Sequence, residues 1–182
     1  MSFKIAAALV SILACSDRVP GNLPAQRPPD SRPVTQTQPG ARISCTITRI
    51  ADGDTVNCGK TGRIRLLMID APELAQGRYG YEALDKLKEI APVGTQVTIE
   101  TDVRARDTYD RLLGYVFLAD GRMVNEEMAK AGYVTALVYP PNVRYVERIR
   151  SAVAKAQRDK KGLWATRFFD CSPRDYRAGR CR

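Results

Sequence analysis

Between residues 43 and 69, three short strand-like runs follow one another, separated only by two glycine turns. Ile43 to Ile50 alternates, with Ile43, Cys45 and Ile47 on one side and Ser44, Thr46 and Thr48 on the other. That is the period-two pattern of a half-buried strand. Asp52-Gly53-Asp54 breaks the run, Thr55 to Lys60 resumes it, Thr61-Gly62 turns again, and Arg63 to Ile69 is the third run. Glycine supplies tight-turn geometry, so the three form a meander.

The pattern then changes period. Tyr79 to Ile90 reads as a helix with Ala83, Leu84, Leu87 and Ile90 as its apolar stripe, ended by Pro92 and Gly94. Val97 to Thr101 and Leu112 to Leu118 read as two further strands, and Asp120-Gly121 as a turn. Val124 to Ala131 is a short helix closed by Gly132. Asn142 is the expected N-cap of a long helix to Lys161, with Val143, Val146, Ile149, Val153 and Ala156 at helical spacing and Gly162 as the stop. Five strands, an interposed helix and two following helices predict an α+β fold: a five-stranded barrel of the OB type with three α-helices.

The flanks have a different character. Lys4 followed by the largely apolar run Ile5 to Ala14 reads as an export signal, too short to span a bilayer as a helix. Its end, Ile12-Leu13-Ala14-Cys15, looks like a lipoprotein cleavage box, which makes residues 1–14 the signal and Cys15 the acylated first mature residue. Residues 15–41 carry six prolines and predict an extended, disordered linker. The folded domain is placed at 42–165 and a basic, cysteine-bearing tail at 166–182. Destination is therefore the periplasm, the outer membrane or the medium. Four cysteines remain after Cys15. An even number in an exported chain suggests two disulfides; of three pairings, Cys45–Cys58 and Cys171–Cys181 are favoured as closest in sequence. A zinc site from all four thiolates is the alternative, but no CxxC pair starts one.

The chain has no histidine, 29 Lys and Arg against 20 Asp and Glu, and a pI near 9.5. The basic balance favours polyanion partners. The lack of histidine excludes it as general base and metal ligand, so hydrolytic chemistry must use carboxylates, Lys, Tyr, Cys or an oxygen-bound metal. Candidate groups cluster at strand ends. Asp52 and Asp54 share a turn. Leu66 to Ile69 is apolar on both faces, with Arg65 entering and Asp70 and Glu73 leaving, and Pro72 stiffening the exit. Charges beside so buried a run are costly unless paired or used. Asp107-Thr108-Tyr109-Asp110-Arg111 opens a later strand, with a second arginine at the edge of a buried run. Guanidinium forks match phosphate oxygens, hard oxygen ligands suit Ca²⁺ or Mg²⁺, and a carboxylate can orient or deprotonate water. Each feature also has a structural reading: Asp-Gly is a common turn, and Arg–carboxylate pairs are common in folds.

Order and spacing together carry a resemblance. Asp52-Gly53-Asp54-Thr55, Arg65 to Glu73, Asp107 to Arg111, Ala119 to Asn125, Tyr139 with Pro141-Asn142, and Gly162-Leu163-Trp164 resemble the staphylococcal nuclease family over Ile43 to Trp164. The resemblance implies a monomeric, Ca²⁺-dependent phosphodiesterase that cuts DNA and RNA to 3′-phosphorylated products. By position it implies Asp54 and Asp70 as calcium ligands by side chain and Ala71 by its backbone carbonyl, with Asp52 behind them. It implies Glu73 as the group that activates water, and Arg65 and Arg111 as the phosphate-binding, charge-stabilising pair. Tyr109 and Tyr139 would contact the nucleotide. Ala71 stands where the family often has Thr, Leu137 where it has a nucleotide-contacting Tyr, and the loop after Glu73 is shorter. A catalytically idle barrel that only binds nucleic acid or protein, and a structural envelope lipoprotein, are the competing readings. An idle relative should lack one of Arg65, Asp54, Asp70, Glu73 and Arg111, and all five are present.

Overall fold

The computed structural model describes residues 38–181. The proposed signal, Cys15 and most of the proline-rich segment lie outside the described residues. Strand β1 (Arg42–Asp52) pairs with β2 (Thr55–Cys58), and β2 with β3 (Gly62–Leu66), as the meander predicts. Helix α1 (Arg78–Ile90) follows, then β5 (Gln96–Glu100) and β6 (Leu112–Leu118). The strands close into a barrel of order β1-β2-β3-β6-β5. The β3–β6 seam is parallel, with Ile64, Arg65 and Leu66 opposite Leu112, Leu113 and Gly114. The other pairs are antiparallel. Ile47, Val56, Ile64, Leu66, Ile99 and Leu112 are buried in the barrel. Gln38 to Ala41, assigned to the linker, are hydrogen-bonded to Thr101.

The third strand differs from expectation. It ends at Leu66, and after a break at Leu67 and Met68 a separate strand β4 (Ile69–Asp70) pairs with β7 (Thr135–Ala136). Met68 adopts φ 68°, the left-handed region that a pleated strand cannot continue through. Asn125, buried on helix α2 (Val124–Ala131), bridges the break. Its Nδ2 donates to the Leu67 carbonyl at 2.9 Å and the Gly114 carbonyl at 3.3 Å, and its Oδ1 accepts from Val116 N–H at 2.9 Å.

The long helix also starts later. Helix α3 spans Val146–Arg158, and Asn142 is not its cap. The Asn142 amide is buried and clamps the backbone of Arg104 instead, accepting from its N–H at 2.7 Å and donating to its carbonyl at 2.9 Å. A capping amide must face its own helix; this one faces a loop 38 residues away. A fourth helix, α4 (Pro173–Arg177), lies in the tail, capped by Ser172 with proline in the first turn. The structure contains the disulfides Cys45–Cys58 and Cys171–Cys181.

Two glycines fix the loops around α1. A Cβ at Gly53 would stand 2.7 Å from Ala71 Cβ and 2.8 Å from Ala83 Cβ, closer than side chains pack. The Asp52–Asp54 turn therefore lies directly on the chain leaving β4 and on α1. A Cβ at Gly80 would overlap the Glu73 carbonyl, so the Glu73 loop rests on the first turn of that helix.

Candidate active site

The β1–β2 turn, the loop after β4, the segment before β6 and the loop from Leu137 to Asn142 surround one cavity of about 700 Å³. Asp52, Asp54, Arg65, Ala71, Glu73, Tyr109, Arg111 and Tyr139 all line it. Asp70 is fully buried beside it and reaches it through Arg65. The residues singled out in the sequence around this chemistry are thus brought together. Arg63, Arg104, Leu137 and Arg177 line the same cavity.

Arg65 sits at the centre because Ile64 and Leu66 point into the barrel and alternation sends it to the opposite face. Its Nη1 donates to the carbonyls of Leu66 (2.6 Å) and Ile69 (2.9 Å), which flank the break at Met68. Its Nη2 lies 3.0 Å from Asp54 Oδ2 and 3.1 Å from Asp70 Oδ1. Asp54 is held further by the Ala71 N–H (2.9 Å) and the Thr55 hydroxyl (3.1 Å). Asp52 accepts the Asp54 N–H at 3.0 Å, closing the turn.

Arg111 is held differently. Asp107 takes its Nε at 2.7 Å and its backbone N–H at 3.0 Å. Among the described residues no protein acceptor takes its terminal nitrogens, so the guanidinium fork is pre-aimed at the cavity. The Tyr109 ring lies 5.5 Å from that guanidinium and, with Tyr139, is largely exposed at the rim. Both rings offer a face to a planar ligand. Glu73 is fixed by its backbone, whose N–H donates to Gln76 Oε1 at 2.9 Å.

The acidic groups strain against one another. Burial, and then the charge of Asp54, push the Asp52 carboxyl up to about 6. Burial also raises Asp70, despite its hydrogen bond to Arg177 and the charge of Arg65. A raised folded-state pKa means that ionising Asp52 opposes folding above about pH 6, whereas below the unfolded-state value both states hold the proton. With chelator present, Asp52→Asn should therefore stabilise the protein at neutral pH by about 1–2 kcal/mol, discounted for partial exposure. The gain should fade as pH drops below about 4. Denaturant unfolding at both pH values checks this, and a pH-independent difference contradicts it.

The donor set suits a hard divalent cation. Carboxylate and carbonyl oxygens prefer Ca²⁺ or Mg²⁺, and one guanidinium nitrogen within 3.1 Å of both Asp54 and Asp70 puts the two carboxylates close enough to share a cation. Among the described residues, no three acidic, cysteine or histidine side chains form a closed cage. Carbonyl oxygen and water would complete the coordination.

The model of the family described as staphylococcal nuclease homologue matches residues 63–166. The chain belongs to that family. The thermonuclease of Staphylococcus hyicus is 37% identical over 127 residues, covering 65% of this chain and 74% of that protein. The thermonuclease of Staphylococcus intermedius is 35% identical over 129 residues. The endonuclease YhcR of Bacillus subtilis is 35% identical over 134 residues, but this chain spans only 11% of its length. The family match begins at Arg63, inside β3, so Asp52 and Asp54 lie before it and their membership of the site rests on the cavity geometry.

Arg63, Arg104 and Arg177 line the cavity without a role in the sequence reading, and Arg177 is the one bonded to the acidic groups, from a tail beyond the family match. A local signal was there: Ser172-Pro173-Arg174-Asp175 is a helix start, and two flanking cysteines bracket it. Asn125 was noticed only as part of a motif, with no hint of the bond it makes to Leu67.

Proposed function

We propose that the chain is an exported, Ca²⁺-dependent phosphodiesterase that cuts DNA and RNA and leaves 3′-phosphorylated ends. The observation that carries this reading is that Arg65 on β3 and Arg111 just before β6 open onto the cavity that also holds Asp54 and Glu73. One fork with unspent terminal nitrogens, Arg111, and a second guanidinium lining the same space suit a phosphate with charge building on it. The names of the relatives, thermonuclease and endonuclease, point the same way.

Asp54, Asp70 and the Ala71 carbonyl would hold the calcium ion, with Asp52 behind them. When bound, the ion supplies a positive charge that polarises the phosphate and neutralises the acidic cluster. Glu73, the more exposed carboxylate, takes a proton from the attacking water or orients it. Arg111, with its terminal nitrogens unspent, grips the phosphate oxygens, and Arg65 turns from its carboxylates to join it. Tyr109 and Tyr139 pack on base or sugar, while Leu137 lends the pocket floor an apolar surface in place of a further ring. Residues 1–14 act as the export signal, Cys15 as a lipid anchor, residues 15–41 as a spacer and 42–165 as the nuclease domain. The two disulfides are in keeping with an oxidising compartment. Among the described residues no helix is long and apolar enough to cross a membrane.

The test is a divalent-ion titration of plasmid and RNA digestion, wild type beside Glu73→Gln. Calcium should support digestion and excess chelator abolish it, and Glu73→Gln should lose about 10²-fold or more, the usual contribution of a positioned acid–base group. Undiminished cutting in chelator removes the metal from this reading, and near-wild-type turnover of Glu73→Gln removes the base.

A further inference from the structure

The guanidinium of Arg177 is planted in the acidic half of the site. Its Nη2 bonds both oxygens of Asp70, at 3.0 and 2.9 Å, and its Nη1 bonds Glu73 Oε1 at 2.7 Å. One side chain thereby ties the carboxylate assigned to the metal to the carboxylate assigned to the water. A forked pair of this kind occupies the lone pairs that either task needs.

The tail is built to deliver that fork. Helix α4 is only five residues long, too short to hold itself. It is closed from outside: Ser172 accepts the Asp175 N–H at 3.1 Å, Arg180 binds Asp175 Oδ1 at 2.6 and 2.9 Å, and Cys171–Cys181 clips the segment across ten residues. Upstream, Phe168 packs on Tyr79 of α1 with ring centres 4.5 Å apart. The Tyr176 hydroxyl donates to the Ala75 carbonyl at 3.4 Å, beside the Glu73 loop. The apolar hold is slight, for Pro173 is the one buried residue of α4. The dock therefore combines the aromatic packing of Phe168 with the ion pairs of Arg177 to Asp70 and Glu73. Among the described tail arginines, Arg167 and Arg180 pair with Asp170 and Asp175 of the tail itself, and Arg177 is the one bonded to the site's carboxylates.

We propose that the disulfide-clipped tail is an internal competitor at the cation subsite, with the Arg177 guanidinium and a divalent cation as mutually exclusive partners of Asp70. The proposal rests on the calcium-dependent reading above and adds a gate to it: the tail must lift before the metal settles. A ligand that binds only the undocked form has its apparent affinity reduced by the undocked fraction. Removing the fork should restore the intrinsic affinity.

The experiment is isothermal titration calorimetry of Ca²⁺ into the full chain, comparing wild type, Arg177→Ala, Arg177→Lys and the Cys171→Ser/Cys181→Ser double variant. Arg177→Ala should tighten Ca²⁺ binding by about tenfold or more, the factor for a tail docked about nine-tenths of the time. Arg177→Lys, a point charge that cannot fork, should fall between. The double variant keeps the arginine but loosens its tether, and should shift the same way as Arg177→Ala. Unchanged or weaker Ca²⁺ binding in Arg177→Ala overturns the proposal while leaving the nuclease reading intact, provided wild type still binds the ion and digests DNA. Failure of every variant, wild type included, to bind Ca²⁺ overturns the metal reading and the gate together.

Discussion

Arg65→Ala should lose nearly all phosphodiesterase activity and much of the stability of the fold, whereas Arg111→Ala should lose comparable activity and keep most of its stability. Donors to developing charge typically supply about 3–4 kcal/mol of transition-state stabilisation, or 10²–10³ in turnover. Both arginines should cost that much if both meet the same phosphate. Their structural duties differ. Arg65 is largely buried and neutralises Asp54 and Asp70 while satisfying the carbonyls of Leu66 and Ile69. Taking away one partner of a buried ionic cluster leaves uncompensated charge and typically costs about 3–5 kcal/mol. Arg111 has one side-chain anchor, Asp107, with 22% and 18% of the two side chains exposed, and it satisfies no buried carbonyl, so its loss should cost about 1 kcal/mol, well below the cluster around Arg65. Turnover of DNA and unfolding in urea, measured on both variants, separate the two roles. Equal stability loss in the two proteins, or wild-type turnover in either, refutes the division.

Asn125→Ala should be the most damaging change outside the cavity. The side chain is fully buried and serves three backbone groups, at Leu67, Gly114 and Val116. Each polar group left buried without a partner costs about 1–3 kcal/mol. A loss of about 3 kcal/mol or more is expected, with Asn125→Asp little better because it cannot donate to the Leu67 carbonyl. Chemical denaturation gives the number, and a loss under about 1 kcal/mol would mean that water replaces the amide. Activity should fall only in proportion to the folded fraction, which distinguishes this residue from those lining the cavity.

Most of the barrel was legible, because β1 alternates from Ile43 to Ile50 and β2, β5 and β6 fall in short strand-like runs bounded by glycine or polar turns. Strands β4 and β7 were not legible. Two residues carry no period, and β4 exists only because Met68 breaks the preceding strand, a backbone event that Leu66-Leu67-Met68-Ile69 does not announce. Asn142 shows the reverse error. Its residue type suits a cap, but a tertiary partner, the Arg104 backbone, outbid the local one. In the site, Arg65, Asp70 and Glu73 were visible because charge beside a doubly apolar run needs a reason. Arg177 was invisible because its partners lie 104 and 107 residues earlier in the chain, and no spacing rule reaches that far.

The parallel seam between β3 and β6 has a consequence for when the protein becomes able to act. Arg65 lies on one side of that join and Arg111 immediately precedes the other, so neither guanidinium has its counterpart until the last edge of the sheet is sewn up. A fragment ending before residue 112 lacks β6, and with it the strand that sets Arg111 beside Arg65. Completion of the barrel and assembly of the two-guanidinium site are therefore one event.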